Sequence, residues 1–327
     1  MRCEQLIEDF LNVGWLNCQW SRNTIQTYRK ELLLFSKWLK SSQNKKLINT
    51  TQEDVALFIE FKAASRVSTH NLRISVMRYL FKHLVREHKM ELNPCAGQRL
   101  IRSQSSLPDV LSEMEAARLM VAPDTTTRIG LRDKVVLELL YATGIRVSEL
   151  VMLEMPNLHL LQRYIIVRAI TSKSRADRIV PFGSIASDWL SAYLNEIRPG
   201  MFRLQSAAGA GSSRVFLGKG QGGGLSVRTC RLIIKRHAKG AGISRRVYPH
   251  ILRHSFATHL LNGGANLIVI QKLLGHASVQ TTQIYTHTAI ERLHRVHEKH
   301  HPRGAKFNNP HLEKGRHFGL YGLENAI

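Results

Sequence analysis

Acidic side chains are the scarce class in this sequence. Only 24 Asp and Glu stand against 47 Lys and Arg, which leaves a formal net charge of +23. Such an excess costs self-repulsion in a compact chain and is useful against a polyanion. Cysteine is sparse too. Cys3, Cys18, Cys95 and Cys230 are scattered with no close pair, which excludes a paired zinc-ligand motif and fits a reduced, cytoplasmic protein. No stretch approaches the roughly 18 consecutive apolar residues of a membrane-spanning helix, and neither end carries an amphipathic anchor, so no membrane partner is expected. The opening Met1-Arg2-Cys3-Glu4-Gln5 lacks the basic-then-apolar layout of a secretory signal.

What is present describes a folded chain. The 327 residues exceed one ordinary core, and 43% hydrophobic with 22% charged residues is a globular composition, so two domains are expected. Nucleic acid is the leading partner, because each phosphate neutralised by Lys or Arg releases counterions.

Residues 1–97 read as a helical domain. Leu6, Phe10, Leu11 and Val13 begin an apolar face, and Ser21-Arg22-Asn23-Thr24 reads as a helix start. Ile25, Tyr28, Leu32, Phe35, Trp38 and Leu39 then recur at helical steps. Thr51–Phe61 forms a third helix and Ser68–Glu87 a fourth, with Leu72, Val76, Leu80 and Leu84 on one stripe. The other faces are basic, and Arg22, Arg29, Arg73 and Arg78 are the candidate DNA contacts there. Asn93-Pro94 stops the fourth helix, and the polar segment 98–108 is the linker.

In the second part, Ser112 and Glu115 have the spacing of a capping box. Residues 132–142 form an apolar helix stopped at Gly144. Tyr164–Ala169 and Arg178–Pro181 form a hairpin around the turn Thr171–Asp177. Ala186–Arg198 is helical, and the Gly- and Ser-rich region 206–224 encloses one short buried strand, Val215-Phe216-Leu217. Helices follow Ser226, broken at Gly240, Pro249, Gly263-Gly264, Gly275 and after Tyr285. The fold class is mainly α with a small antiparallel β element, in two domains.

The residues able to do chemistry are concentrated. His250 and Arg253 stand three apart at a helix start, so both point to one face. Arg146 opens a helix directly after Gly144, where backbone amides add to its attraction for phosphate. Gly275-His276 and Thr282-Gln283-Ile284-Tyr285 follow. Singly, each has an ordinary explanation: a packed tyrosine, a capping or turn histidine, an arginine paired with Glu149, a solvated lysine.

Together these segments resemble the tyrosine recombinases of the Xer type. Their pattern is G-x-R-x-S-E-L (Gly144 to Leu150 here), a Lys in a β-turn (Lys173), H-x-x-R (His250 to Arg253), G-H (Gly275-His276) and a Tyr nine residues on (Tyr285). The resemblance runs from the first helices to His300-His301-Pro302-Arg303, and it is specific because separate motifs agree in order and spacing. It assigns the catalytic roles to Arg146, Lys173, His250, Arg253, His276 and the nucleophile Tyr285. One departure is Ser172-Lys173-Ser174, where the family usually has Gly-Lys-Gly.

The resemblance implies a two-domain DNA clamp with a catalytic domain over 109–303 and an extension over 304–327. It also implies a 3′-phosphotyrosine intermediate, a free 5′ hydroxyl and exchange through a four-way (Holliday) junction. No cofactor, metal or ATP is expected. The partners implied are double-stranded recombination sites and a homo- or hetero-tetramer, with a second Xer-type protein as one arrangement. Each protomer donates a C-terminal segment to a neighbour, and a helix from about Ala289 to Lys299 suits that exchange. Base reading is expected from an N-terminal helix and from the helix after Ser226, where Arg228, Arg231, Lys235 and Arg236 cluster. The competing readings are a type IB topoisomerase, which shares the chemistry, and a catalytically silent DNA-binding protein.

Overall fold

The computed structural model describes residues 3–18, 20–63, 66–101, 110–169, 177–207, 212–218, 223–275 and 287–304. The chain divides into two compact units, residues 1–106 and 107–327.

The first unit is four helices: α1 (Cys3–Asn17), α2 (Arg22–Gln43), α3 (Gln52–Phe61) and α4 (Val67–Arg86). Local chemistry sets their ends. The Ser21 hydroxyl accepts from the Thr24 amide at the start of α2, and Asn44 ends that helix in the left-handed region at φ 48°. Thr51 and Asp54 form a reciprocal capping box on α3, which satisfies two otherwise orphaned amides. The predicted apolar faces converge: Leu6, Phe10, Leu32, Phe35, Phe58, Leu80 and Phe81 are buried together. Phe35 meets the Phe58 ring edge-on at 4.9 Å. Each such side chain contributes about 1.5–3 kcal/mol on burial. Of the predicted stripe on α4, Val76, Leu80 and Leu84 are fully buried, and Leu72 packs at the margin.

The second unit wraps α6 (Arg128–Thr143), whose residues from Gly130 to Thr143 are all buried. The predicted capping box holds: Ser112 and Glu115 open α5 (Glu113–Val121). A helix buried all round must pair its charges internally. Glu138 takes Lys134 at 3.0 Å and Arg303 at 2.9 Å. Asp133 takes Arg132 at 2.9 Å, His237 at 3.1 Å and Arg236. Gly144 ends α6 at φ +60°, and a Cβ there would lie 2.3 Å from the Phe256 ring. Conformation and space both require glycine.

Three antiparallel strands follow the short α7 (Val147–Val151): β1 (Leu158–His159), β2 (Tyr164–Val167) and β3 (Arg178–Pro181). The predicted hairpin is β2–β3, with Tyr164 opposite Pro181 and Val167 opposite Arg178. The two-residue β1 is too short to show periodicity, and it was not predicted. The expected strand at Val215-Phe216-Leu217 is buried, but it is held by isolated bridges, Glu154 to Arg214 and Leu217 to Gly224, and it joins no ladder. The remaining helices are α8 (Ser184–Ala192), α9 (Arg198–Ala207), α10 (Val227–Gly240), α11 (Pro249–Asn262), α12 (Leu267–Leu274) and α13 (His287–His300). A π-helical turn over Tyr193–Ile197 joins α8 to α9.

The C-terminal helix has an apolar face that is covered within this one chain. In this single chain α13 packs on its own unit. Leu293 and Val296 join the core, the His297 Nε2–H donates to the Ala142 carbonyl at 2.7 Å, and His301 stacks on His297 with ring centres 4.7 Å apart. Burial pushes the His297 imidazole down to about 4 and His301 well below its ordinary value. The unfolded chain binds protons at these positions below about pH 6.5, and the folded chain refuses them. Stability is therefore complete above that pH and lost as pH falls toward the folded values. By pH 5 His297 is expected to remove roughly 2 kcal/mol, and His301 acts in the same direction. Urea unfolding of the full chain at pH 7.5 and at pH 5 measures this, and equal midpoints would refute it.

Candidate active site

The site is built where four chain segments end against one another. Gly144 stops α6, and Arg146 becomes the N-cap of α7. Glu149, buried to 3% exposure, takes the Arg146 backbone amide on Oε2 at 2.9 Å and the Arg146 Nη1 on Oε1 at 2.9 Å. The same carboxylate takes Arg178 from β3, Nη2 to Oε2 at 2.6 Å and Nη1 to Oε1 at 3.2 Å. Burial works to raise the Glu149 carboxyl, but Arg178 and then the Arg146 amide outweigh it and hold it below the usual carboxylate value.

Arg253, in the second turn of α11, is half-buried and gives Nη1 to the Gly144 carbonyl at 2.7 Å and Nη2 to the Leu274 carbonyl at 2.5 Å. A guanidinium has five N–H donors, so others remain to receive an anion. Burial first, then Arg146 and Arg178, pull this guanidinium down to about 9; it still carries its charge at neutral pH. His250 lies exposed one turn earlier on α11. Burial of its ring, then Arg253, His254 and Arg146, lower its basicity, so the imidazole is neutral at pH 7 and able to accept a proton.

Arg146, His250 and Arg253 thus lie within one electrostatic field. Lys173, His276 and Tyr285 lie outside the described residues. Lys173 falls between Ala169 and Asp177, which are joined by an amide-to-carboxylate bond of 2.6 Å. His276 follows Gly275, where α12 ends at φ +65°. Tyr285 precedes α13, which packs against β3.

The predicted DNA contacts divide into two groups. Arg22, Arg228, Arg231 and Lys235 are exposed, and the last three share one face of α10 at helical spacing. The others have internal partners. Arg29 pairs with Glu8 at 2.5 Å, Arg73 with Glu31 at 2.7 Å, and Arg236 with Asp133; Arg78 donates to the Gln98 carbonyl at 2.5 Å. Sequence reasoning passed over Arg178. Its only signal was a charged residue opening the otherwise apolar predicted strand Arg178–Pro181. His259 is buried between Tyr141 and the Leu111 carbonyl.

The comparisons with known proteins agree with this geometry. The phage integrase family matches residues 109–292, and the phage integrase N-terminal SAM-like domain matches residues 7–88. Tyrosine recombinase XerD of Ralstonia nicotianae is 41% identical over 303 residues, covering 92% of this chain and 95% of the relative. XerD of Pasteurella multocida is 40% identical over 307 residues, covering 93% of this chain and all of the relative.

The chain belongs to the Xer-type tyrosine recombinases of the phage integrase family.

It is accordingly a site-specific recombinase, mainly α with a small antiparallel sheet. Solved structures share the recombinase fold at lower identity. The Tn1549 transposon integrase in complex with a circular-intermediate DNA has a TM-score of 0.65 at 17% identity, covering 85% of this chain and 92% of that one. A lambda integrase dimer bound to a COC′ core site has a TM-score of 0.62 at 17% identity, covering 87% and 100%. No helix among the described residues of the recombinase is long and apolar enough to cross a membrane.

Proposed function

We propose that this recombinase cuts and rejoins double-stranded DNA by transferring a backbone phosphate to Tyr285, leaving a 3′-phosphotyrosine and a free 5′ hydroxyl. The observation that carries the reading is the charge imbalance at the site: the guanidiniums of Arg146, Arg178 and Arg253 face the single carboxylate of Glu149. Such a site carries two positive charges in excess; a phosphodiester neutralises one in the planar, forked geometry that arginine prefers, and the charge that grows on its oxygens in the transition state meets the other.

The steps follow from the groups. Arg146 and Arg253 receive the nonbridging oxygens of the scissile phosphate and stabilise the charge that grows there in the transition state. The Tyr285 oxygen attacks phosphorus, its proton passing toward neutral His250. The bond from phosphorus to the 5′ oxygen breaks, and that oxygen takes a proton from Lys173, while His276 holds the phosphate. A 5′ hydroxyl from a partner duplex reverses the sequence. The bond energy stays in the phosphotyrosine, so no ATP enters, and the arginines do the work of a cation, so the reaction is expected to proceed in EDTA.

The solved relatives support the assembly. A lambda integrase tetramer is bound to a Holliday junction, and XerH is bound to its difH substrate before cleavage. On that likeness the working form here is a tetramer of identical or paired recombinases on two duplexes in the cytoplasm. The exposed basic face of α10 lies toward the DNA, and 109–303 is the catalytic domain.

Trapping decides the reading. The full chain is incubated in EDTA with duplexes carrying Xer-like sites, intact or nicked, and then denatured. The expected product is protein joined to a DNA 3′ end through a peptide containing Tyr285. Relaxation of supercoils without strand exchange would indicate a topoisomerase instead, and sequence-selective binding with no adduct at any nicked site would indicate a silent binder.

A further inference from the structure

We propose that Arg178 is a positioning residue for cleavage, aiming the Arg146 guanidinium through Glu149. The inference rests on the role given to Arg146 above. Arg178 is 4% exposed, at the first position of β3, opposite Val167. Its bonds reach two of the other segments that form the site. The Nη1 and Nη2 groups engage Glu149 at 3.2 and 2.6 Å. The Nε–H donates to the Leu273 carbonyl at 2.9 Å, one residue before the carbonyl that receives Arg253. Gly275 lies against the same guanidinium, and a Cβ there would come within 3.1 Å of its Cδ and Nη1.

The sharing of Glu149 makes this a device rather than a buried ion pair. Each carboxylate oxygen serves both arginines: Oε1 takes Nη1 of Arg178 and Nη1 of Arg146, and Oε2 takes Nη2 of Arg178 and the Arg146 amide. Arg146 alone holds the carboxylate by one amide bond and one guanidinium bond. The forked grip of Arg178 adds two more from a buried, separately anchored side chain, and so fixes the carboxylate plane against β3 and not only against the helix that carries Arg146. Arg146 then meets the phosphate already oriented, and orientation fixed before reaction favours the transition state. Stability does not account for the arrangement, since apolar replacements of a buried ion pair are often neutral or stabilising. Its bonds to Glu149 and to the Leu273 carbonyl hold a side chain that is 4% exposed, which suits a positioning role.

The test is a double-mutant cycle on single-turnover cleavage of a nicked site by the full chain, with duplex affinity measured alongside. Arg178→Ala is expected to slow cleavage about 10- to 100-fold, the range of losses when a residue supporting an active group is removed, with affinity nearly unchanged. In an Arg146→Ala background the same change is expected to cost under about threefold, because the residue it acts through is gone. Equal slowing in both backgrounds, or no slowing in the wild-type background, overturns the proposal. Should Arg178→Ala not fold, Arg178→Lys keeps the charge, loses the fork and is put through the same cycle. If wild-type protein forms no adduct, or Arg146→Ala cleaves normally, the failure belongs to the proposed function and not to Arg178.

Discussion

Tyr285→Phe is expected to bind duplex sites like the wild-type protein and to form no covalent adduct at all. The substitution removes one oxygen and keeps the ring, so packing and the basic surfaces are preserved while the nucleophile is lost. The remaining groups have no means to replace it. An unperturbed tyrosine titrates near 10, so nucleophilic attack already depends on phosphate activation by the arginines and proton acceptance by His250. Without the phenol oxygen that activation has nothing to act on. Denaturing electrophoresis of protein with an end-labelled nicked duplex reads the result directly. An adduct persisting in Tyr285→Phe would place the nucleophile on another residue and undo the assignment of the motif.

Arg253→Ala carries the second large effect, and here the structure supplies the reason. The side chain is held before any DNA arrives, by the Gly144 and Leu274 carbonyls at 2.7 and 2.5 Å. Burial and the neighbouring Arg146 work against its charge, so an arriving phosphate relieves a repulsion as well as forming new bonds. Deleting one preorganised donor of this kind typically costs about 10²- to 10³-fold in rate, and cleavage by Arg253→Ala is expected to fall at least that far. Arg253→Lys retains the charge without the planar fork and should recover only part of the loss. A drop below about tenfold would remove Arg253 from the centre of transition-state stabilisation. Because the change also leaves two carbonyls without a donor, a melting curve must accompany the rates; loss of cleavage with an unchanged midpoint is the expected result.

The helical elements were legible because their causes are local. Ser21, Thr51 and Ser112 cap their helices by side chains three residues away from their partners, and Gly144 stops α6 through its own left-handed backbone. Apolar spacing on α2 and α4 marked the residues that became the first core. The candidate site was legible through a different route, the order and spacing of motifs that resemble the recombinases. Arg146, His250 and Arg253 do meet, and no periodicity in the chain would have brought residues over a hundred positions apart together.

The limits of that reading are equally physical. Charge on a predicted helix face pointed to DNA for Arg29, Arg73, Arg78 and Arg236, and it did not show that these arginines also reach Glu8, Glu31, the Gln98 carbonyl and Asp133. Which acid lies within reach depends on how helices pack, and that is written across the sequence, not at any one place in it. The same holds for α13. Its amphipathic pattern specified a helix with an apolar face, but not that Arg303, His297 and His301 find Glu138, the Ala142 carbonyl and one another within the single chain.

The sequence by itself therefore determined the helices, their caps, the basic character and the set of reactive residues, because those depend on neighbours a few positions away or on short motifs. The tertiary structure decided which charges are buried, that Glu149 is shared between Arg146 and Arg178, and where the last helix rests, because burial and pairing depend on groups that only folding brings within 3 Å of one another.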